Sequence, residues 1–167
     1  MTGTFRLEVL RAEHDRKAFS CSVEPLDRYF REQATQDIRR RVSACYVAVD
    51  SVTAVIAGYY TLAAGGVPLA EMPSQMAKRL PRYASVPVVR MGRLAVDQHY
   101  RSKKLGAALL WDAVLRASRS EIAAFALVVD AKDDTAAAFY QHHGFVALDE
   151  GQRRWMLPLA NVNAKNK

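Results

Sequence analysis

Cysteine is scarce in this chain: Cys21 and Cys45 are the two thiols in 167 residues. They lie far apart without CxxC spacing, so two small buried thiols are expected, and nothing points to a disulfide or an oxidising compartment. Long apolar runs are missing too. None reaches the roughly 18 residues that a membrane-spanning helix needs. The opening MTGTFRLEVLR reads as a polar lead into a strand, not a signal peptide, and a cytoplasmic protein is expected. Two phosphate loops are absent, the GxxxxGK[ST] Walker loop and the GxGxxG dinucleotide loop. Repeats, linkers and a composition break are also lacking. One domain over 1–160 is expected, with a frayed polar tail, NVNAKNK, at 161–167.

Acidic residues are the minority, 17 against 24 Lys and Arg, for a net charge of +7. The cations come in clusters along the chain: Arg39-Arg40-Arg41, Lys78-Arg79 with Arg82, Arg90 with Arg93, Arg101 to Lys104, and Arg153-Arg154. Clustered cations attract phosphates, and clusters spread along the chain suit a folded basic face better than a disordered arm. For each arginine singly, an ordinary surface or ion-pair role is equally compatible.

The periodicity predicts a strand over 4–10 and a helix over 25–39, where Leu26, Phe30, Ala34 and Ile38 recur every four residues. Strands follow at 44–49 and 55–62, a short helix at 73–80, and a strand at 86–97. Gly92, inside that strand, suggests a bulge or close backbone approach. A largely buried helix over about 104–118 carries a polar stripe of Asp112, Arg116 and Arg119. A strand at 125–131, a helix at 134–143 ended by Gly144, and a strand at 153–157 paired with 145–148 complete the order. Strands joined by short turns pair antiparallel. The 86–97 and 125–131 strands, joined by a helix, run parallel. The fold class is therefore α/β (α+β), a mixed sheet with helices on both faces.

The stretch RLAVDQHYRSKKLGAALL, residues 93–110, passes from an apolar strand to an apolar helix through Arg101, Ser102, Lys103, Lys104 and one glycine, Gly106. The first amides of a helix have no internal partners, so a strand-to-helix turn offers an anion site, here with three added cations. A merely solvated basic turn has the same local features.

This stretch resembles the cofactor segment of the GCN5-related N-acetyltransferases (GNAT), usually written [QR]xxGx[GA]. FSCSVEPLDRYFREQA, GYYTLAA, RYASVPVVRMGRLAVD, VVDAKDDTAAAFYQHHGF and WMLPL extend the resemblance over nearly the whole chain, and specifically to the acetyltransferase toxins of bacterial type II toxin–antitoxin pairs. It implies a single-domain GNAT-like, mostly antiparallel sheet with two splayed parallel central strands. It implies acetyl-CoA as cofactor: the backbone of Leu94, Ala95 and Val96 on the pantetheine arm, and the turn from Arg101 through Ser102, Lys103, Lys104, Leu105 and Gly106 to Ala107 around the diphosphate. Lys104 stands where the motif has its first glycine. If that backbone needs positive φ, lysine costs about 1–2 kcal/mol and binding is expected to be weak; within the first helical turn lysine fits. Ser102 would compete for an amide if it caps the helix.

On local features Tyr140, beside Phe139, is a core residue. The resemblance makes it the acid that protonates the departing thiolate, a role suited to a phenol that is neutral at pH 7. Asp133 stands where many relatives have asparagine at the cofactor site, and its composition equally suits a helix N-cap. His142 and His143, about 100° apart on a helix, do not both face one metal, and no metal is expected. Asp97, Glu71 and the histidines offer no compelling general base. An α-amine with pKa near 8 is about one-tenth neutral at pH 7 and needs none, whereas a lysine amine near 10.4 is neutral to about 0.04%. The resemblance thus implies acetylation of the α-amine of aminoacyl-tRNA and a block of translation, with Arg39, Arg40, Arg41, Arg79, Arg82, Arg90 and Arg93 as RNA-facing candidates. It further implies a homodimer and an antitoxin with a ribbon-helix-helix DNA-binding fold. Two other readings stay open: an acetyltransferase for a small amine or a protein N-terminus, and a non-catalytic RNA- or antitoxin-binding module whose cofactor loop has decayed.

Overall fold

A computed structural model describes residues 4–160 and 162 of the chain. Apart from Val162, the tail expected at 161–167 lies outside the described residues. The chain divides into two compact units, residues 4–63 with 92–113, and residues 64–91 with 114–160 and 162. Among the described residues the strands follow the order β1-β2-β3-β4-β5-β7-β6 in one seven-stranded sheet. The expected mixed α/β class holds.

In the first unit, β1 (Phe5–Val9) pairs antiparallel with β2 (Ala44–Asp50), which pairs antiparallel with β3 (Ile56–Pro68). β3 runs six residues beyond its expected end, through Gly65 and Gly66, into the second unit. The helix expected over 25–39 is three segments: α1 (Glu24–Arg28), a π-helical turn (Tyr29–Gln33) and α2 (Ala34–Arg39). The four-residue repeat explains the insertion. Each step of four advances about 400°, so a straight α-helix rotates the stripe away from the core by about 40° per step. The wider π turn takes up that drift. Phe30 and Ala34 are fully buried, while Leu26 and Ile38 pack against the same cluster of Phe19, Tyr59, Val47 and Cys45. Both cysteines are free and buried, as expected, and burial pushes their thiols up to about 11 for Cys21 and about 12 for Cys45.

The strand β4 (Ser85–Val96) is divided between the units. Gly92 is not the close approach: a Cβ there meets only the Thr61 hydroxyl at 3.4 Å. Gly58 on β3 is, because a Cβ would lie 2.9 Å from the Ala95 carbonyl oxygen and 2.8 Å from Leu109 of α4 (Leu105–Arg119). Gly58→Ala should therefore cost about 1–3 kcal/mol, because a backbone oxygen cannot step aside. Chemical denaturation checks it through the midpoint at constant m-value. The polar stripe expected on α4 is corrected at Asp112. The exposed positions include Ala108, Trp111 and Arg119, while Asp112 is half-buried and accepts a hydrogen bond from the Tyr60 hydroxyl at 2.5 Å. An ion-forming side chain on an apolar helix turns inward when a buried hydroxyl is there to meet it.

In the second unit, β4 pairs in parallel with β5 (Ala126–Asp130), from Val88↔Ala126 to Met91↔Val129. β5 pairs antiparallel with β7 (Arg154–Pro158), and β7 with the two-residue β6 (Val146–Ala147). The short helix expected at 73–80 is the single turn α3 (Ser74–Ala77), preceded by a 3-10 turn at Leu69–Glu71. The helix α5 (Asp134–His142) starts and stops where its end residues predict. Asp133 caps it by accepting from the Ala136 N–H at 2.8 Å. At its other end Gly144 has φ +92°, the Gly144 N–H donates to Gln141 and the Phe145 N–H to Tyr140. That pair of bonds is a Schellman closure, with the Phe145 ring against the Tyr140 ring at 5.6 Å.

Candidate active site

Two groups of the expected site residues are each gathered by one unit. The first holds Leu94, Ala95, Val96, the run Arg101 to Ala107, Arg93, and Arg39, Arg40 and Arg41. The second holds Tyr140, Asp133, Arg79, Arg82 and Arg90.

In the first unit β4 ends at Val96 and a 3-10 turn, Gln98–Tyr100, follows. Asp97 caps that turn by accepting from the His99 N–H at 2.9 Å. Its other oxygen accepts from the Ser20 N–H at 3.0 Å. Asp97 is buried and fully engaged, which removes it from the candidate general bases. The Tyr100 hydroxyl donates to Asp50 at 2.8 Å and holds that carboxyl below its usual range. One guanidinium N–H of Arg101 donates to the Cys21 carbonyl at 2.6 Å.

Lys104 has φ +60° and Ser102 φ +69°, so the left-handed alternative holds and the helical one does not. The Lys104 carbonyl accepts from the Ala108 N–H at 3.2 Å, which makes Lys104, not Ser102, the residue capping α4. At that φ a lysine carries about 1–2 kcal/mol of backbone cost that a glycine would not. Lys104→Gly should raise stability by about 1 kcal/mol, read as a rise of about 2–4 °C in Tm. Ser102, Lys103 and Lys104 are exposed ahead of the bare first-turn amides of a 15-residue helix, whose second residue is Gly106. An anionic diphosphate fits this donor set.

In the same unit, Pro25, Leu26, Arg28, Tyr29, Glu32, Gln33 and Arg93 line a groove of about 370 Å³. The Arg93 guanidinium stacks over the Tyr29 ring, 3.4 Å from its centroid. The Tyr29 hydroxyl donates to Asp37 at 2.7 Å, and burial with that carboxylate pushes the phenol up to about 12. Arg39, Arg40 and Arg41 end α2 with exposed side chains.

In the second unit Tyr140 is 7% exposed on α5. Burial, and secondarily the negative charge of Asp130, pushes its phenol up to about 12. Asp130 is bracketed by Arg90 at 3.3 Å and Arg154 at 3.5 Å, and Arg154 also reaches Glu71 at 3.8 Å. Arg90 and Glu71 are thus ion-paired, whereas Arg79 and Arg82 are exposed. Burial and the neighbouring His142 lower His143, the C-cap of α5. Among the described residues no group of three or more His, Cys, Asp or Glu side chains could hold a metal, and no helix is long and apolar enough to cross a membrane. Sequence reasoning missed the Ser20–Ser22 segment and Asp27. Their only signal was an aspartate in the first helical turn, which reads equally as dipole compensation.

Residues 76–161 match the family model of the acetyltransferase (GNAT) domain. The chain is 35% identical over 133 residues to a tRNA-acetylating toxin of Mycobacterium tuberculosis, covering 78% of each. It is 26% identical over 160 residues to a probable toxin TacT of Sinorhizobium fredii, covering 90% of this chain and 88% of that one. Its fold is that of AtaT complexed with acetyl-methionyl-tRNAfMet, with a TM-score of 0.89 at 24% identity over 98% and 99% of the two chains. By its sequence and by the strand–turn–helix that carries its cations, the chain belongs to the GNAT acetyltransferase family.

Proposed function

We propose that this protein transfers the acetyl group of acetyl-CoA to the α-amine of an aminoacyl-tRNA in the cytoplasm, and so arrests translation as the toxin of a toxin–antitoxin pair. The observation that carries this reading is 35% identity over 78% of the chain to a tRNA-acetylating toxin. Acetyl-CoA supplies an acetyl thioester, and the chain's residues bind and orient it. The α4 amides with Lys103 and Lys104 hold the diphosphate, the backbone of Leu94, Ala95 and Val96 aligns the arm, and Tyr140 offers its O–H to the departing sulfur. With Asp97 and Glu71 both engaged, the acceptor is an amine that is neutral in useful amount by itself. Arg39, Arg40, Arg41, Arg79 and Arg82 suit the RNA best, since they are exposed. The protein would act as one domain and as a homodimer, restrained by a ribbon-helix-helix antitoxin.

The test is incubation with radiolabelled acetyl-CoA and total charged tRNA. Label should enter the RNA fraction, and prior mild deacylation of the tRNA should abolish it. Label on peptide N-termini or small amines instead would transfer the reading to those acceptors. Calorimetry showing no acetyl-CoA binding would leave only the non-catalytic module. KM for charged tRNA should also rise with salt, with a log–log slope of about 0.7 per phosphate contacted. A salt-independent KM would argue against the arginine face.

A further inference from the structure

Ser20 and Cys21 are held at every backbone polar group. The Ser20 N–H donates to Asp97 at 3.0 Å and its carbonyl accepts from the Gln98 N–H at 2.9 Å. The Cys21 N–H donates to Asp27 at 2.9 Å and its carbonyl accepts from Arg101 at 2.6 Å. The Ser20 hydroxyl also donates to Asp27 at 3.3 Å, and the Ser22 hydroxyl to the Gln98 side-chain oxygen at 3.3 Å. Asp27 sits on α1, whereas Asp97, Gln98 and Arg101 belong to the turn that leads into α4.

Both carboxylates are buried, Asp27 at 4% and Asp97 at 3% exposure. A buried carboxylate is tolerable only where donors surround it, and here the donors include the amides of Ser20 and Cys21. The segment and the turn therefore fix each other's positions. Ser22, the next residue, has φ +68°, which side-chain-bearing residues adopt at a cost.

We propose that Ser20–Cys21 is a clasp that sets the position of the phosphate-binding turn, and that Asp27, Asp97 and Arg101 are positioning residues for acetyl-CoA rather than groups that touch it. This rests on the reading that the turn before α4 receives the diphosphate. Charge alone places Arg101 on a phosphate, but its bond to the Cys21 carbonyl holds the guanidinium against the clasp, three residues ahead of the Lys104 cap. The direct cations are then Lys103 and Lys104. Asp27 acts through the Cys21 peptide from the other side. Displacing a binding turn by about 1 Å is enough to lose much of its affinity.

A double-mutant cycle on the full chain tests this, reading the acetyl-CoA Kd by calorimetry. Asp27→Ala and Arg101→Ala should each weaken binding about tenfold, and together no more than about tenfold, because both act through the backbone of one residue, Cys21. Asp27→Asn should stay within about threefold of the parent, since its amide oxygen still accepts from the Cys21 N–H and its amide nitrogen donates to the Ser20 hydroxyl. A double variant weakened by the product of the single losses would overturn the clasp and put Arg101 on the phosphate. Asp27→Ala with an unchanged Kd would overturn it as well. Should Asp27→Ala fail to fold, Asp97→Asn takes its place in the cycle with the same expectation, because both Asp97 oxygens accept from backbone N–H groups and asparagine can keep only one of those bonds. If the parent protein does not bind acetyl-CoA, the functional reading fails, and the clasp is judged by hydrogen exchange. Faster exchange of amides 98–104 in Arg101→Ala supports it, and unchanged exchange overturns it.

Discussion

Tyr140→Phe should lower kcat for acetyl transfer by at least about 100-fold while leaving acetyl-CoA binding and the fold in place. The change removes one hydroxyl from a ring that keeps its contacts with Phe139 and Phe145. Among the described residues that hydroxyl has no hydrogen-bond partner in the protein, so stability should move by less than about 1 kcal/mol. The phenol stands at about 12, well above a thiol near 8.5. Complete proton transfer to the sulfur is therefore uphill. What Tyr140 supplies at every working pH is an O–H aimed at developing negative charge, an electrostatic contribution available only if the hydroxyl is present.

The pH dependence carries the same signature. The rate should climb as the acceptor amine loses its proton near pH 8 and then stay flat, because Tyr140 does not ionise before about pH 12. Stability behaves differently. A folded-state pKa raised from 10 to about 12 contributes stability that is intact below about pH 10 and is lost as pH rises toward 12. The phenylalanine variant should lack that part of the alkaline loss. Transfer by Tyr140→Phe within tenfold of the parent would remove the residue from the chemistry and return it to the core.

Phe30→Ala should cost about 3–5 kcal/mol, with a fall of roughly 6–20 °C in Tm. Phe30 is fully buried, stacked on Tyr59 with ring centroids 4.3 Å apart and planes 8° apart. Phe19 meets both rings edge-on, at 5.0 and 5.6 Å. Tyr59 donates its hydroxyl to the Leu26 carbonyl at 2.8 Å, so the stack also fixes α1. The cavity left by the ring would open beneath the π-helical turn and loosen the groove beside Arg93. The loss should appear as reduced Tm and, because α1 also carries the Asp27 that holds Ser20 and Cys21, as weaker acetyl-CoA binding as well. A fall of less than about 1.5 kcal/mol would mean that the core collapses into the gap and that the stack contributes little.

Much of this protein is legible in its sequence. Alternation and four-residue spacing placed the strands and helices, because each period matches a backbone geometry and one buried face. Asp133 and Gly144 marked the ends of α5, because capping and left-handed φ are properties of single residues and their neighbours. The strand–turn–helix with its cations was likewise readable, since unpaired amides exist wherever a helix begins.

Other features depended on partners distant in the chain. Asp112 reads as surface until Tyr60, 52 residues away, is brought to it. Asp97 reads as a possible base until the Ser20 amide is found on it, and nothing in the sequence ties Arg101 to the Cys21 carbonyl, 80 residues away. Gly58 and Gly92 cannot be ranked by sequence, because only the packing of Ala95 and Leu109 shows which one has no room for a side chain. Local rules act through bonds and neighbouring turns, so the order of residues determined most of the elements and the ends of α5, though not the extension of β3 or the π turn after α1. The identity of a polar group's partner is a long-range contact, and the tertiary fold alone decided it.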